Sequence, residues 1–242
     1  MDLGAALAEQ QRAWNERPLL RRQYGEWYQL IVESLAEVGR PTVELGSGIG
    51  KLKQFKPDVV TTDIEPTPWA DFVVDAEALP YDDGELGNLV LLDVFHHLAD
   101  PARFLNEAKR VLAPGGRVVI VDPYCSPISA PIYKRFHHER TDLAAPALER
   151  DEQTGAGPLE SNQARATLVF YRGRKEYSGR WPDLPLVASR RFAFLLYPLT
   201  GGFTRPQMLP RALYAPLQLV ERSLQPLARF FAFRCLVVLE RR

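Results

Sequence analysis

From position 19 to 38 apolar residues recur at mixed three- and four-residue steps: Leu19, Leu20, Trp27, Leu30, Ile31, Leu35 and Val38. That interval lines one face of a helix, so a helix is expected over 10–38, stopped by Gly39 and Pro41. The pattern then shortens. Apolar runs at 41–45, 58–63, 71–75, 88–94 and 117–122 predict strands. Between the last two, "PARFLNEAKRVL" (101–112) predicts a helix, with Asp100 as N-cap and Pro101 in the first turn. Phe104, Leu105, Ala108 and Leu112 share its apolar face, and the glycines of "APGG" stop it. Strands that alternate with helices and loops imply a doubly wound, parallel α/β sheet.

The character changes near residue 123. Residues 140–165 are rich in Pro, Gly and polar side chains, which suits a long loop or lid with a helical fragment. A helix is expected at 165–177, a strand at 187–199 and a final strand at 233–242. Between them, 213–231 is helical in pattern but punctuated by Pro216 and Pro226.

The stretch "VELGSGIG" (43–50) carries the first candidate chemistry. A strand, a glycine turn and a following helix put backbone N–H groups at the C-terminal edge of a sheet, where polar cofactor atoms dock. The dinucleotide fingerprint is GxGxxG. Here Gly46 and Gly48 fit it, but its third position is Lys51, and the third glycine is Gly50. Glu44 stands two residues before the first glycine. A carboxylate there repels a pyrophosphate and attracts an ammonium, which speaks against NAD(P) and for a cofactor with an amino-acid end. Asp63, 17 residues after Gly46, ends the second strand and suits ribose hydroxyls. Asp75 ends the third and suits an adenine amine.

With these come "TTDIEP" (61–66), "DAEALPYDDGELGNLVLLDVFHHLADP" (75–101) and "FLNEAKRVLAPGGRVVIVDP" (104–123). Over 41–123 the chain resembles the class I S-adenosylmethionine-dependent methyltransferases, type 11 (ubiquinone/menaquinone-biosynthesis-like) group. The resemblance implies a doubly wound, mostly parallel seven-stranded sheet, its last strand (about 234–240) antiparallel, with an inserted cap. It divides the chain into an N-terminal helical lid (1–40), a cofactor-binding half (41–123), a cap or substrate region (124–186) and C-terminal strands and helix completing the sheet (187–242). It also implies roles. Gly46 and Gly48 approach the methionine portion of S-adenosylmethionine, and Glu44 holds its amine. Asp63 takes the ribose hydroxyls and Ile64 lies against the adenine. Asp75 faces the adenine amine beside the Ala76 amide. Asp93, at the fourth strand end where the family has a small or polar residue, meets the methionine end. The segment from Gly50 to Asp63 is short, so the first helix after the glycines must be abbreviated.

The implied reaction is methyl transfer to a small molecule, with oxygen as the expected acceptor atom, in a secondary metabolite, glycan or lipid-linked intermediate. A non-catalytic S-adenosylmethionine-binding or assembly protein of the same fold and an NAD(P)-dependent oxidoreductase are the competing readings. Two histidines are candidate bases: His97, past the fourth strand, and His138, in the cap. Hydrogen bonding that orders the "FHHL" corner competes for His97, and a solvated helix face competes for His138. Tyr24, Trp27 and Tyr28 suit either closure over a sulfonium, whose charge aromatic faces attract, or plain helix packing. Tyr124 and Asn162 are candidate pocket residues. No metal is expected, because the consecutive His137, His138 and Glu139 should point apart.

Lys+Arg and Asp+Glu balance at 30 each in 242 residues, so no global charge attracts nucleic acid. The two cysteines, Cys125 and Cys235, have no CxxC partner and fit reduced thiols in a cytoplasmic protein. No signal-peptide core and no membrane-length apolar run is seen. Leu213, Leu217, Val220, Leu224, Leu227 and Phe231 form an apolar stripe with Arg211, Arg222 and Arg229 nearby. It suits peripheral contact with a membrane, but such a stripe more often packs on the sheet, and Pro216 and Pro226 argue against one long surface helix.

Overall fold

Seven strands form one sheet in the order β3-β2-β1-β4-β5-β7-β6. They are β1 (Thr42–Leu45), β2 (Val60–Asp63), β3 (Phe72–Val73), β4 (Leu86–Leu92), β5 (Leu112–Pro123), β6 (Leu186–Phe192) and β7 (Arg234–Glu240). This is a computed structural model, and it describes residues 3–154, 160–203 and 205–242. Part of the long loop expected at 140–165 therefore lies outside the described residues. The first five strands pair in parallel, while β7 runs antiparallel to both β5 and β6. The antiparallel last strand is as expected.

The central strands are apolar on both sides because both faces are covered. Val43, Leu45, Leu89, Leu91, Val118 and Ile120 face one layer. There they meet Phe104, Leu105 and Ala108 of α3 (Pro101–Val111), and Phe170, Tyr177 and Trp181 from the segment after the cap loop. The alternate residues Val90, Val119, Val121, Leu236 and Val238 face the other layer. That layer is built by Ala13 and Trp14 of α1 (Leu3–Glu16) and by Leu20, Tyr24, Trp27 and Ile31 of α2 (Pro18–Glu33). The two-residue alternation thus sorts neighbouring strand residues to opposite cores. Asp100 caps α3 as its position suggested, accepting from the Arg103 amide at 2.9 Å.

Several elements differ from their sequence signals. The helix expected at 10–38 is two helices, because Pro18 cannot continue the first; Arg17 before it is extended (φ −111°, ψ 91°). The second ends at Glu33, short of Gly39. The third strand is only two residues long, exposed at the sheet edge. The expected strand 187–199 stops at Phe192, where Ala193 takes φ 60°, and Leu196–Thr200 is helical instead. The helix expected at 165–177 is a short turn, Arg165–Thr167, then a π-type turn, Leu168–Arg172, then Arg174–Arg180. Residues 213–231 break at Pro226 into Tyr214–Ser223 and Ala228–Phe231. Pro216 falls in the first turn of the former, where a missing N–H costs nothing. After the glycines the abbreviated helix is a single 3-10 turn, Lys51–Gln54.

Candidate cofactor and acceptor site

The glycine loop leaves β1 with Gly46, Gly48 and Gly50 all in the left-handed region (φ 62°, 54° and 62°). At Gly46 a side chain is also excluded by space: a Cβ would stand 2.5 Å from Val94 Cγ2. Leu7 and Gln10 of α1 lie over Gly48, each 3.7 Å from the position of an added Cβ. The first helix therefore covers the loop.

Glu44 lies inside β1, fully buried, and its Oε2 has no hydrogen-bond partner. Burial, aided by the charge of Asp63, pushes its carboxyl up to about 8. Ser47 Oγ beside it is likewise buried and unpartnered. Asp63 ends β2 and bends back to the loop. Its Oδ2 accepts from the Gly48 amide at 3.0 Å and its Oδ1 from the Ile64 amide at 2.9 Å. Burial raises its carboxyl above the ordinary range, and those amides oppose the rise. Ile64 is exposed beside it. Asp75 lies two residues past β3, exposed, and accepts from the Glu77 amide at 2.8 Å, with Ala76 half-buried between them. The expected acids thus stand at successive strand ends along one sheet edge.

Asp93 follows β4 with φ 59°, a left-handed conformation that aspartate tolerates better than most residues. One carboxylate oxygen is paired with the buried Arg234 guanidinium of β7, and the other accepts from the Tyr24 hydroxyl at 3.2 Å. Arg234 also donates to the Tyr197 hydroxyl and lies over the rings of Trp27 and Tyr197, at 5.3 and 4.6 Å. Tyr24 reaches this point because α2 packs across the sheet. Burial, with Asp93 adding to it, holds its phenol far above the usual range.

The histidines behave unlike their sequence reading. Their side chains do not point apart, because the chain leaves α4 (Ser129–Phe136) at His137 in an extended conformation (φ −94°, ψ 149°). His137 and His138 stack with centroids 4.7 Å apart, and His96 and His97 face them from the β4 corner. All four converge on Glu139. His96 Nε2 and His137 Nδ1 stand 3.5 and 3.4 Å from its Oε2; His97 Nε2 and His138 Nε2 stand 3.6 and 3.8 Å from its Oε1. Gln163 Nε2 also donates to Oε2. Behind His96, the buried Asp122 takes Nδ1 at 2.9 Å. Burial alone would lower His96, but Asp122 and Glu139 outweigh it and hold it up to about 10. Burial, reinforced by the His96 charge, pushes His97 down to about 4. Burial also takes His137 down to about 4. Burial opposes ionisation of Glu139, yet His96 and its neighbours hold that carboxyl far below the ordinary range.

Two expected pocket residues are otherwise engaged. Tyr124 packs edge-on against Tyr171 at 5.0 Å and under Arg191 at 5.2 Å. Asn162 clips the cap: Oδ1 accepts from the amides of Asp142 and Ala164, and Nδ2 donates to the Asp142 carbonyl. Its own amide donates to the His96 carbonyl at 2.9 Å, so it positions the histidine corner. Sequence reasoning missed Asp122 and Arg234. Asp122 sits one residue before the end of β5 and follows the strand-end rule applied to Asp63; Arg234 had no local signal.

Residues 43–120 match the family described as "Methyltransferase domain", type 11. A methyltransferase domain of the type 11 kind thus occupies residues 43–120. Two curated relatives are demethylmenaquinone methyltransferases. That of Clavibacter sepedonicus is 30% identical over 115 residues, 48% of this chain and 41% of the relative. That of Paenarthrobacter aurescens (strain TC1) is 26% identical over 141 residues, 52% of this chain and 55% of the relative. The chain thus spans about half the length of these relatives. A SAM-dependent methyltransferase from Archaeoglobus fulgidus shares the fold with TM-score 0.55 at 13% identity, over 92% of this chain and 94% of that one. The residues at this edge fit S-adenosylmethionine: a buried carboxylate oxygen and a buried hydroxyl, both unpartnered, lie where β1 meets the glycine turn, and a Cβ at Gly46 would stand 2.5 Å from Val94 Cγ2.

Proposed function

We propose that this chain transfers the sulfonium methyl of S-adenosylmethionine to an oxygen of a small molecule. The observation that supports it most is Glu44, a buried carboxylate with a free oxygen that needs a cation. The methionine ammonium supplies one. In this reading Asp63 spends one lone pair of each oxygen on a backbone amide and offers the others to the ribose hydroxyls. Ile64 covers the adenine, with Asp75 and the Ala76 amide at its edge. Gly46 and Gly48 let the methionine chain approach the backbone. Asp93, fixed by Tyr24 and Arg234, borders the reacting end.

The acceptor lies beyond Asp93, toward the histidine corner and the cap. The bond from sulfur to methyl breaks as the bond from methyl to the acceptor oxygen forms. Sulfur keeps the electron pair and becomes the thioether of S-adenosylhomocysteine. The hydroxyl proton passes to an imidazole at the rim, His97 or His138. The chain's main task is to align nucleophile and methyl and to keep water out. Among the described residues no helix is long and apolar enough to cross a membrane. Leu213, Leu219, Val220, Leu227 and Phe230 are nevertheless exposed, beside the exposed Arg211, Arg222 and Arg229. That face favours a lipid-borne acceptor presented at an anionic bilayer surface over a free polar metabolite.

The test pairs thermal shift with labelled transfer. S-adenosylhomocysteine in large excess over its Kd should raise the melting point and NAD should not. Asp63→Ala should weaken that binding about tenfold to hundredfold, the worth of hydrogen bonds to a charged group. Tritiated methyl should enter a small-molecule fraction of a lipid-containing extract. Stabilisation by NAD instead, or unchanged affinity in Asp63→Ala, would sink the reading.

A further inference from the structure

The four histidines of the chain are two separate pairs, 40 residues apart, yet every one ends within 4 Å of a single carboxylate. We propose that His96, His97 and Glu139 form a binding site for one zinc-class divalent metal ion. The three donor atoms, His96 Nε2, His97 Nε2 and a Glu139 oxygen, lie within 4.8 Å of one another. Tetrahedral zinc with bonds of about 2.0–2.1 Å sets its ligands roughly 3.4 Å apart. His96 Nε2 stands 3.5 Å from Oε2 and His97 Nε2 3.6 Å from Oε1, near that spacing with the carboxylate presenting one oxygen to each imidazole, and both are long for direct hydrogen bonds.

The surroundings fit the same ion. Asp122 accepts the Nδ1–H of His96, which turns Nε2 toward Glu139. His97 is oriented in the same way, more loosely, by the Glu160 carbonyl 3.4 Å from its Nδ1. In the metal-free chain a proton on His96 Nε2 sits between imidazole and carboxylate; a divalent ion displaces that proton and bridges the same two side chains. Asp122 and Glu139 carry two negative charges, which a dication balances. Gln163 steadies Glu139 from the cap side.

The other pair is the weaker candidate. His138 is 60% exposed and stands farthest from Glu139, at 3.8 Å. With the ion on the inner pair, His138 stays free to take a proton at the rim. Three protein ligands leave a fourth position open, the arrangement of metal sites that meet a substrate. The site does not depend on the identity of the methyl acceptor.

The experiment uses the untagged full chain, freed of metal by a chelator and titrated with Zn2+ against a chromophoric competitor, and with Co2+ by visible absorption. One ion per chain should bind, and Co2+ should give the intense ligand-field bands of a four-coordinate site. Glu139→Gln and His97→Ala should each weaken Zn2+ at least hundredfold. Asp122→Asn, which acts through His96, should weaken it about tenfold to hundredfold. His138→Ala should stay within about threefold. An unchanged far-UV spectrum in metal-free His97→Ala separates lost ligation from lost folding. The proposal falls if the wild-type chain takes up no stoichiometric Zn2+ and shows no Co2+ bands. It also falls if His97→Ala binds as tightly as wild type, or if His138→Ala abolishes binding that His97→Ala retains.

Discussion

Glu44 shows how one residue sets a pH dependence. Its folded carboxyl is raised to about 8 by burial, against an ordinary value near 4.5. The folded free protein thus holds a proton that the unfolded chain has released, so stability falls as pH rises from about 4.5 to about 8 and is level above that. Glu44→Gln should remove this decline. The variant should melt a few degrees higher than wild type at pH 8.5, with the gap closing toward pH 5, by calorimetry without ligand. Cofactor binding should show the opposite trend, because the ammonium needs the carboxylate. Affinity for S-adenosylhomocysteine should fall by up to tenfold per pH unit below about 8 in wild type and stay flat in the variant, as titration calorimetry would read. At this scale the acids were legible: Glu44, Asp63 and Asp75 follow from strand ends beside glycines. The status of Glu44 was not, since an unpartnered oxygen depends on what surrounds it in space.

At the scale of elements, the glycine turn and the corner after β4 form one interlocked unit. Gly46 needs φ 62° and has Val94 Cγ2 against the place of a Cβ. Gly46→Ala should therefore cost about 1 kcal/mol for the backbone and about 1–3 kcal/mol for the overlap. Adding Val94→Ala should return the overlap part and leave the backbone part, as urea midpoints would show. Equal stability of the single and double variants would mean that Val94 makes no such contact. Periodicity read the strands and α3 well because they bury regular faces. It merged α1 with α2, since the apolar spacing runs on through Pro18, and it extended β6 past Ala193, since "FAFLLYPL" is apolar in either conformation. The aromatic residues of α2 pack beside the 3-10 turn after the glycines, Tyr28 stacking on Phe55, and no local pattern announces that.

Taken as a whole, the molecule leaves part of the 213–231 stripe outside the core. Of Tyr214–Ser223 only Tyr214 is buried, so this amphipathic helix leaves Leu219 and Val220 in solvent beside Arg222. The stripe divides: Leu224 and Phe231 pack against the sheet core and Leu217 against Leu196 and Tyr214, while Leu213, Val220 and Leu227 stay exposed. The protein should cosediment with vesicles rich in anionic lipid and much less with neutral ones. Leu219→Glu combined with Val220→Glu should reduce the bound fraction severalfold without changing the melting point, because neither side chain is buried. Equal recovery with both vesicle types, or no effect of the double substitution, would remove the bilayer from the account.

The order of strands, the glycine turn and the acids that line one sheet edge were written in short-range patterns, because burial on a helix or strand leaves a period and a tight turn demands glycine. Only the tertiary structure brought His96 and His97 to His137, His138 and Glu139, set Arg234 on Asp93, and laid α1 across Gly48. Those meetings join residues tens to more than a hundred positions apart. Chain closure over such distances is decided by which faces pack together, and a charged or imidazole side chain at the end of that process leaves no period along the chain.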